Sequence, residues 1–292
     1  MKNRDIVVSI SCITYNHAPY IRQCLDGFMM QQTDFAFEIL IHDDASTDGT
    51  AEIIKEYEAK YPDIIKPVYE EENQWMKGRR GSAVFNFPRA KGKYIAMCEG
   101  DDYWTDPLKL QKQVDFLENH EGYSICGHRF NSFHVQDMLY EKFETGIAGD
   151  YSLSDLIYKN VYCSTLSIMF RRASLDMFHY CKCRYSIDIV LAYMILKNGR
   201  GFCLADEMAI YRIHNRGVWS GSTKDRQLYI NLDVRMAIYE LERTPEAATF
   251  IITYLNMLGR KWIIHNLRIC MKAYLYVYEM FGLKQVLSLL IR

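Results

Sequence analysis

Residues 37–54 read FEILIHDDASTDGTAEII. The opening FEILIHD is an apolar run with isoleucines, bounded by a polar turn, and such a run predicts a buried strand. The strand closes on two adjacent carboxylates, Asp43 and Asp44. After the turn, Ile53, Ile54 and Tyr57 fall on one face of a helix, for which Ser46 and Asp48 are candidate caps. The unit is therefore strand, polar turn, helix. The same order stands upstream. DIVVSISCIT (5–14) predicts a strand, and after it Pro19 suits a first helical turn, with Ile21, Leu25, Phe28 and Met29 at helical spacing. Downstream, IIKPVYE (64–70) and KYIAMCE (93–99) predict two more strands, and DPLKLQKQVDFLENH (106–120) a helix with Pro107 in its first turn.

Strands that alternate with helices imply a parallel sheet covered on both faces. In such sheets ligands bind beyond the carboxyl ends of the strands. The segment HDDAS ends one strand and CEGDDYW (98–104) ends another. Glu99, Asp101 and Asp102 crowd into four positions there. Carboxylates at that density repel one another and belong in water, unless they face something cationic. Closely spaced carboxylates hold a hard divalent cation through oxygen, with a bound phosphate supplying further ligands.

The second half is less regular. YSICGHRFNSF (123–133), YCSTLSIMFRR (162–172) and EMAIYRIH (207–214) predict strands, and IDIVLAYMILKNG (187–199) predicts a helix closed by Gly199. From 223 onward the chain reads as helical, with Pro245 dividing it. The expected division is 1–222, with halves 1–120 and 121–222, followed by a helical extension at 223–292.

The chain has 292 residues, 49% of them hydrophobic, enough for a sizeable core and against disorder. A formal net charge of -1 argues against a general nucleic-acid binder. The nine cysteines are scattered, form no CxxC pair, and fit reduced thiols of a cytoplasmic protein. The N-terminus lacks a signal-peptide core, and no run of about 18 uncharged apolar residues predicts a spanning helix.

Three segments in order, SISCITYNHAPYIRQCL (9–25), FEILIHDDASTDGTAEII and AKGKYIAMCEGDDYW (90–104), resemble family 2 glycosyltransferases of the bacterial surface-polysaccharide type. The resemblance implies the GT-A fold: a Rossmann-like, mostly parallel α/β sheet of nucleotide-diphospho-sugar transferases, here with a helical C-terminal region. It implies an inverting hexosyl- or N-acetylhexosaminyl-transferase. The donor would be a nucleotide-diphospho-sugar, a UDP-sugar in many members, and the acceptor a hydroxyl of a glycan or lipid-linked saccharide. By position, Thr14, Tyr15 and Asn16 would line the nucleotide pocket, and Asp44 would meet the base edge. Glu99, Asp101 and Asp102 match the metal-binding region and would hold Mn2+ or Mg2+ on the diphosphate. Glu99 departs from the usual Asp. The family's Ala-Arg-Asn before the fourth strand is missing, and Arg79, Arg80 or Arg89 are the candidates to replace it.

Inverting transfer needs a base for the acceptor hydroxyl. The resemblance implies Asp188, at the head of the helix at 187–199, although a carboxylate there also suits the helix dipole. In YRIHNRGVWSG (211–221), Arg212, His214 and Arg216 are candidate diphosphate contacts. His214 is also a candidate metal ligand, and Trp219 a candidate stacking surface for a sugar ring. Two other functions are open: a non-catalytic sugar-nucleotide-binding or scaffold protein, and a nucleotidyltransferase. The latter would need a glycine-rich phosphate loop where this chain has SCITYNH. The tail 259–292 is apolar, and its charges are basic apart from Glu279. Two readings stand for it: peripheral contact with the inner face of the cytoplasmic membrane through 260–292, or a helical element packed as core.

Overall fold

The computed structural model describes residues 5–78, 81–142, 148–183, 188–215, 217, 219 and 221–291. In chain order the elements begin with β1 (Ile6–Thr14), α1 (Ile21–Met29), β2 (Ala36–Asp43), α2 (Thr50–Lys60), β3 (Ile65–Tyr69), α3 (Ser82–Phe85) and β4 (Tyr94–Met97). Then follow β5 (Tyr103–Trp104), α4 (Lys109–Asn119), β6 (Tyr123–His134), β7 (Leu139–Lys142), β8 (Gly149–Tyr151), α5 (Leu153–Lys159), β9 (Met169–Arg171), α6 (Met177–Lys182), α7 (Asp188–Leu196) and β10 (Arg200–Ile213). The chain ends in α8 (Lys224–Glu242), α9 (Pro245–Met257), α10 (Arg260–His265), α11 (Leu267–Phe281) and α12 (Leu283–Ile291).

The strands form one sheet in the order β3-β2-β1-β4-β9-β6-β10-β5, with β7 on β6 and β8 on β10. Its first four strands are parallel, as the alternation of strand and helix requires. Beyond β4 the sheet is mixed: β9 runs antiparallel to both neighbours, whereas β6 and β10 pair in parallel through an irregular register. The carboxyl ends of β1, β2 and β4 share one rim, since Ser11 is level with Met97 and Thr14 with Asp43.

Local chemistry explains the departures from the expected elements. The cap of α2 is neither Ser46 nor Asp48 but Gly49, at φ 98°. Asp48 instead lends one carboxylate oxygen to the Thr50 N–H (3.1 Å) and the other to the Ala18 N–H (3.0 Å), so it ties the helix entry to the loop after β1. Of 162–172 only Met169–Arg171 is strand, because a 3-10 turn at Thr165–Ser167 occupies the middle. The Trp and Tyr that follow the acidic cluster are core and sheet residues. Tyr103 and Trp104 pair with Ile210 and Ala209, and the Trp104 indole donates to the Leu166 carbonyl at 2.9 Å.

The chain packs as two units. The first is Met1–Leu153 with Tyr162–Cys181 and Ser186–Ile213, and carries the sheet. The second is Ser154–Val161, Lys182–Tyr185 and His214–Arg292. Within the second unit Arg235 is 1% exposed, and its guanidinium sits between Phe250 (4.3 Å) and Tyr254 (4.1 Å). It donates to the Asn231 carbonyl and to Asn160 Oδ1, so this buried charge is solvated by protein. Thr223 and Thr244 cap α8 and α9, and Pro245 takes the first turn of α9.

In the first unit the entry to β4 is held at close quarters. Buried Glu38 on β2 accepts from the Ser9 hydroxyl (2.7 Å) and the Lys91 N–H (2.8 Å), and the Gly92 N–H donates to Ser9 Oγ (2.9 Å). A Cβ on Gly92 would lie 2.5 Å from the Ser9 nitrogen and 2.8 Å from the Val8 carbonyl carbon, both backbone atoms that cannot swing aside. Gly92→Ala is therefore expected to cost about 1–3 kcal/mol of stability, the usual range for overpacking. A denaturant titration checks this, and an unchanged midpoint would show that β1 can shift to admit a methyl group.

Candidate functional site

The rim is built from three loops that brace one another. After β1, Asn16 takes φ 54°, and after β2, Ala45 takes φ 61°. Left-handed backbone at residues other than glycine persists where neighbours fix it. The neighbours here are hydrogen bonds between the loops. Asn16 N–H donates to Ser46 Oγ (2.9 Å), Thr47 N–H donates to Asn16 Oδ1 (2.8 Å), and the Ser46 hydroxyl donates to Asp43 Oδ1 (2.5 Å). Thr14 is buried at the end of β1, and its carbonyl accepts from the Asp44 N–H at 3.0 Å. Tyr15 stands out of this frame, 45% exposed. Asp44 is buried. Its two oxygens accept from the backbone N–H groups of Gln74 (2.6 Å) and Trp75 (3.1 Å), so this carboxylate anchors the loop after β3.

The third loop carries the acidic cluster. Gly100 N–H donates to the Ile13 carbonyl at 3.0 Å, and a Cβ at Gly100 would lie 2.7 Å from Thr14 Oγ1, so only glycine lets the loop lie against the end of β1. Asp102 N–H turns back to the Glu99 carbonyl (3.1 Å). Asp102 is 2% exposed, and its Oδ1 accepts from the backbone N–H of Arg212 at 2.8 Å. The Arg212 guanidinium, also buried, donates to the Asp101 carbonyl and to Gln23 Oε1. It lies 4.3 Å from the Tyr103 ring centre and 5.2 Å from that of Tyr20. The Asp101 side chain is left partly exposed, with one oxygen 3.7 Å from His17 Nε2.

Asp188 is the first residue of α7, and its Oδ1 accepts from the Ile189 N–H at 2.8 Å. Burial pushes its carboxyl up to about 6. Burial also pushes Glu99 up, to about 8, with further contributions from the negative charges of Asp101 and Asp188. That Asp188 acts on Glu99 places the head of α7 within electrostatic reach of the acidic loop. Burial holds Asp102 well above its usual range too, reinforced by Asp101 and Glu99 and opposed by the Arg212 N–H. The arrangement gathers Glu99, Asp101, Asp102 and Asp188 within electrostatic reach of one another, and carboxyls raised in this way mark a candidate functional site.

Other candidates fall elsewhere. Arg89 donates to the carbonyls of Lys66 (2.7 Å) and Ile41 (2.9 Å) and to Asn86 Oδ1 (2.8 Å), so its guanidinium is spent on strand backbone. His214 is buried and, with half-exposed Trp219, belongs to the second unit. Arg79, Arg80 and Arg216 lie outside the described residues. Reading the sequence did not single out His17, Gln23 or the Tyr20–Tyr103 pair. Their only signal was position, in the loop and first turn after β1 and just past the acidic run.

The family model described as Glycosyl transferase family 2 matches residues 9–178. An uncharacterized protein of Mycobacterium tuberculosis is 35% identical over 226 residues, which is 76% of this chain and 63% of the relative. The chain thus spans less than two thirds of that relative's length. A Bacillus subtilis protein named as a teichuronic acid biosynthesis glycosyltransferase, TuaG, is 29% identical over 77% of this chain and 86% of its own. Among solved structures, S. aureus TarS 1–349 in complex with UDP-GlcNAc superposes with a TM-score of 0.67 at 19% identity, covering 97% of this chain and 84% of that one. At that identity the likeness is one of fold, and the fold is GT-A.

The raised carboxyl of Glu99 makes a stability prediction. Below about pH 4.5, the ordinary glutamate value, folded and unfolded chains both hold the proton. As pH climbs to about 8 the unfolded chain gives it up and the folded one keeps it, so wild type loses stability across that window. Glu99→Gln removes this loss. Its thermal midpoint should match wild type at pH 4 and exceed it at pH 9, and equal midpoints at both pH values would mean that Glu99 is solvated like a surface carboxylate.

Proposed function

The chain belongs to glycosyl transferase family 2, and on that footing we propose that it moves a sugar from a UDP-sugar to a hydroxyl of a glycan or lipid-linked saccharide in bacterial polysaccharide synthesis, with inversion. The observation that carries this reading is the gathering of Glu99, Asp101 and Asp102 on one loop past the carboxyl end of β4, tied to the end of β1 by the Gly100 N–H donating to the Ile13 carbonyl. The name of TuaG and the UDP-GlcNAc bound to TarS support the substrate class.

Donor binding falls to the rim. Tyr15, exposed beside the braced Asn16, offers a ring face for the base. Asp44 holds the loop at 74–75 and keeps lone pairs for a base N–H. The carboxylates fit a divalent cation, Mn2+ or Mg2+: Asp101 is partly exposed, and Glu99 is crowded by its negative charge. Among the described residues no three side chains form a complete cage. An ion bound here would therefore take one or two carboxylates and complete its shell from the diphosphate. Asp101 and Glu99 would hold it, and Asp102 would act through the Arg212 N–H as the residue that fixes the loop. Such an ion supplies Lewis-acid stabilisation of a departing diphosphate. Arg212 is committed to the Asp101 carbonyl and to Gln23, so its part is to position the loop.

The acceptor hydroxyl gives its proton to Asp188 as its oxygen attacks the anomeric carbon and UDP departs from the opposite face. One displacement inverts the configuration. A carboxyl at about 6 is a stronger base than a solvated aspartate and is still ionised at neutral pH. Turnover should therefore fall as pH drops through about 6. The same reading includes contact with the membrane surface, for access to a lipid-linked acceptor. No helix of the described residues is long and apolar enough to cross a membrane.

The test is Asp188→Asn. With UDP-sugar and Mn2+, donor affinity should stay near wild type and turnover should drop by about 10²–10⁴, the range for a lost general base. Turnover within a few-fold of wild type would move the base elsewhere. A wild-type protein that binds the donor but neither transfers nor hydrolyses it would favour the binding or scaffold alternative.

A further inference from the structure

Helix α11 has two unlike long sides. Ile269, Cys270, Ala273 and Val277 are buried, where the helix packs on α8 and α9 within the second unit. The opposite side presents Leu267, Met271, Leu275 and Tyr278, all more than half exposed, at steps of four, four and three residues. Those steps put the four on one stripe. Leu283 and Leu287 of α12 add exposed apolar surface next in the chain. A helix ordinarily turns such a stripe inward, and a contiguous exposed apolar patch marks an interaction surface.

The charges on α11 and on the helices that flank it in sequence name the partner. Lys261, Arg268 and Lys284 are exposed, and among the described residues no acidic side chain pairs with them. The one acid of the segment, Glu279, pairs with Arg243 of α8's C-terminal cap, and Lys272 pairs with Glu240 of α8 at 2.8 Å. The face therefore combines apolar side chains with unopposed cations. A second copy of the chain docked through a twofold axis would set this patch against itself and its cations against one another. An anionic lipid surface meets both features, taking the apolar side chains among its acyl chains and the cations among its headgroups.

We propose that the face of α11 formed by Leu267, Met271, Leu275 and Tyr278, with Arg268 beside it on the same helix and Lys284 at the start of α12, docks on an anionic bilayer. This gives the membrane contact of the proposed function a definite surface. Its test needs no transferase activity, so either reading can fail without the other.

The experiment is co-sedimentation of the 292-residue chain with vesicles of phosphatidylglycerol or of phosphatidylcholine. At low salt the chain should pellet with the anionic vesicles, and about tenfold less of it with the zwitterionic ones. Raised salt should release it in part, because the headgroup attraction is screened and the apolar contact is not. The double variant Met271→Glu, Leu275→Glu changes exposed positions only, so it should keep the wild-type thermal midpoint and lose at least about tenfold of the partitioning. The pair Leu267→Glu, Tyr278→Glu, on the same stripe, should do the same. A chain that stays in the supernatant with phosphatidylglycerol at low salt overturns the proposal, as do folded variants that pellet like wild type. A dimer in solution that the same substitutions dissociate would assign the face to a second copy instead.

Discussion

The hydrogen bond from the Arg212 N–H to Asp102 is the contact on which the candidate site depends. It joins β10 to a loop 110 positions earlier in the chain, and it places a donor on a carboxylate that burial would otherwise leave uncompensated. The Arg212 side chain repeats the connection by donating to the Asp101 carbonyl while lying against Tyr103 and Tyr20. A cation buried between aromatic rings has lost its water, so each hydrogen bond it makes is worth more than on the surface. The acidic loop is thereby locked through its backbone, and the Asp101 carboxylate stays partly exposed, 3.7 Å from His17 Nε2.

The same region carries opposing demands. Glu99, Asp102 and Asp188 all have carboxyls raised by burial, so ionising them near neutral pH costs folding free energy. Asn16 and Ala45 add left-handed backbone in the flanking loops. Rigid parallel strands and the cross-braces among Asn16, Ser46, Thr47 and Asp43 hold these features in place. Stability is drawn from the core of β1, β2 and β4, where Val8, Ile10, Ile39, Ile41 and Ala96 are fully buried. On the proposed reading, a ligand that brings positive charge to the loop would relieve part of this cost.

Much of this was legible in the sequence, and the rest was hidden for physical reasons. β1, β2 and β4 are unbroken apolar runs that end in polar turns, so they could be read directly and they set the rim. The segment 162–172 misled because its apolar composition suits a strand, whereas Thr165–Ser167 turns in a 3-10 helix. Arg212 could be recognised as a notable cation near the site, but not that its guanidinium would be taken up by a backbone carbonyl and a glutamine. That outcome depends on contacts across more than a hundred residues. His17 escaped notice because a lone histidine after a strand carries no signal until the fold brings Asp101 to 3.7 Å from it. The tail showed the same limit: its periodicity was visible, but which side of α11 is buried is decided by α8 and α9.

The central claim is that the acidic loop held by Arg212 receives a diphosphate together with a divalent cation. Calorimetric titration of UDP into the wild-type chain and into Asp101→Asn, each with Mn2+ and with chelator, tests it most directly. The account predicts binding to wild type that requires Mn2+ and is lost in Asp101→Asn while the thermal midpoint holds. UDP binding of equal strength with chelator, or an unaltered Mn2+-dependent affinity in Asp101→Asn, would contradict it.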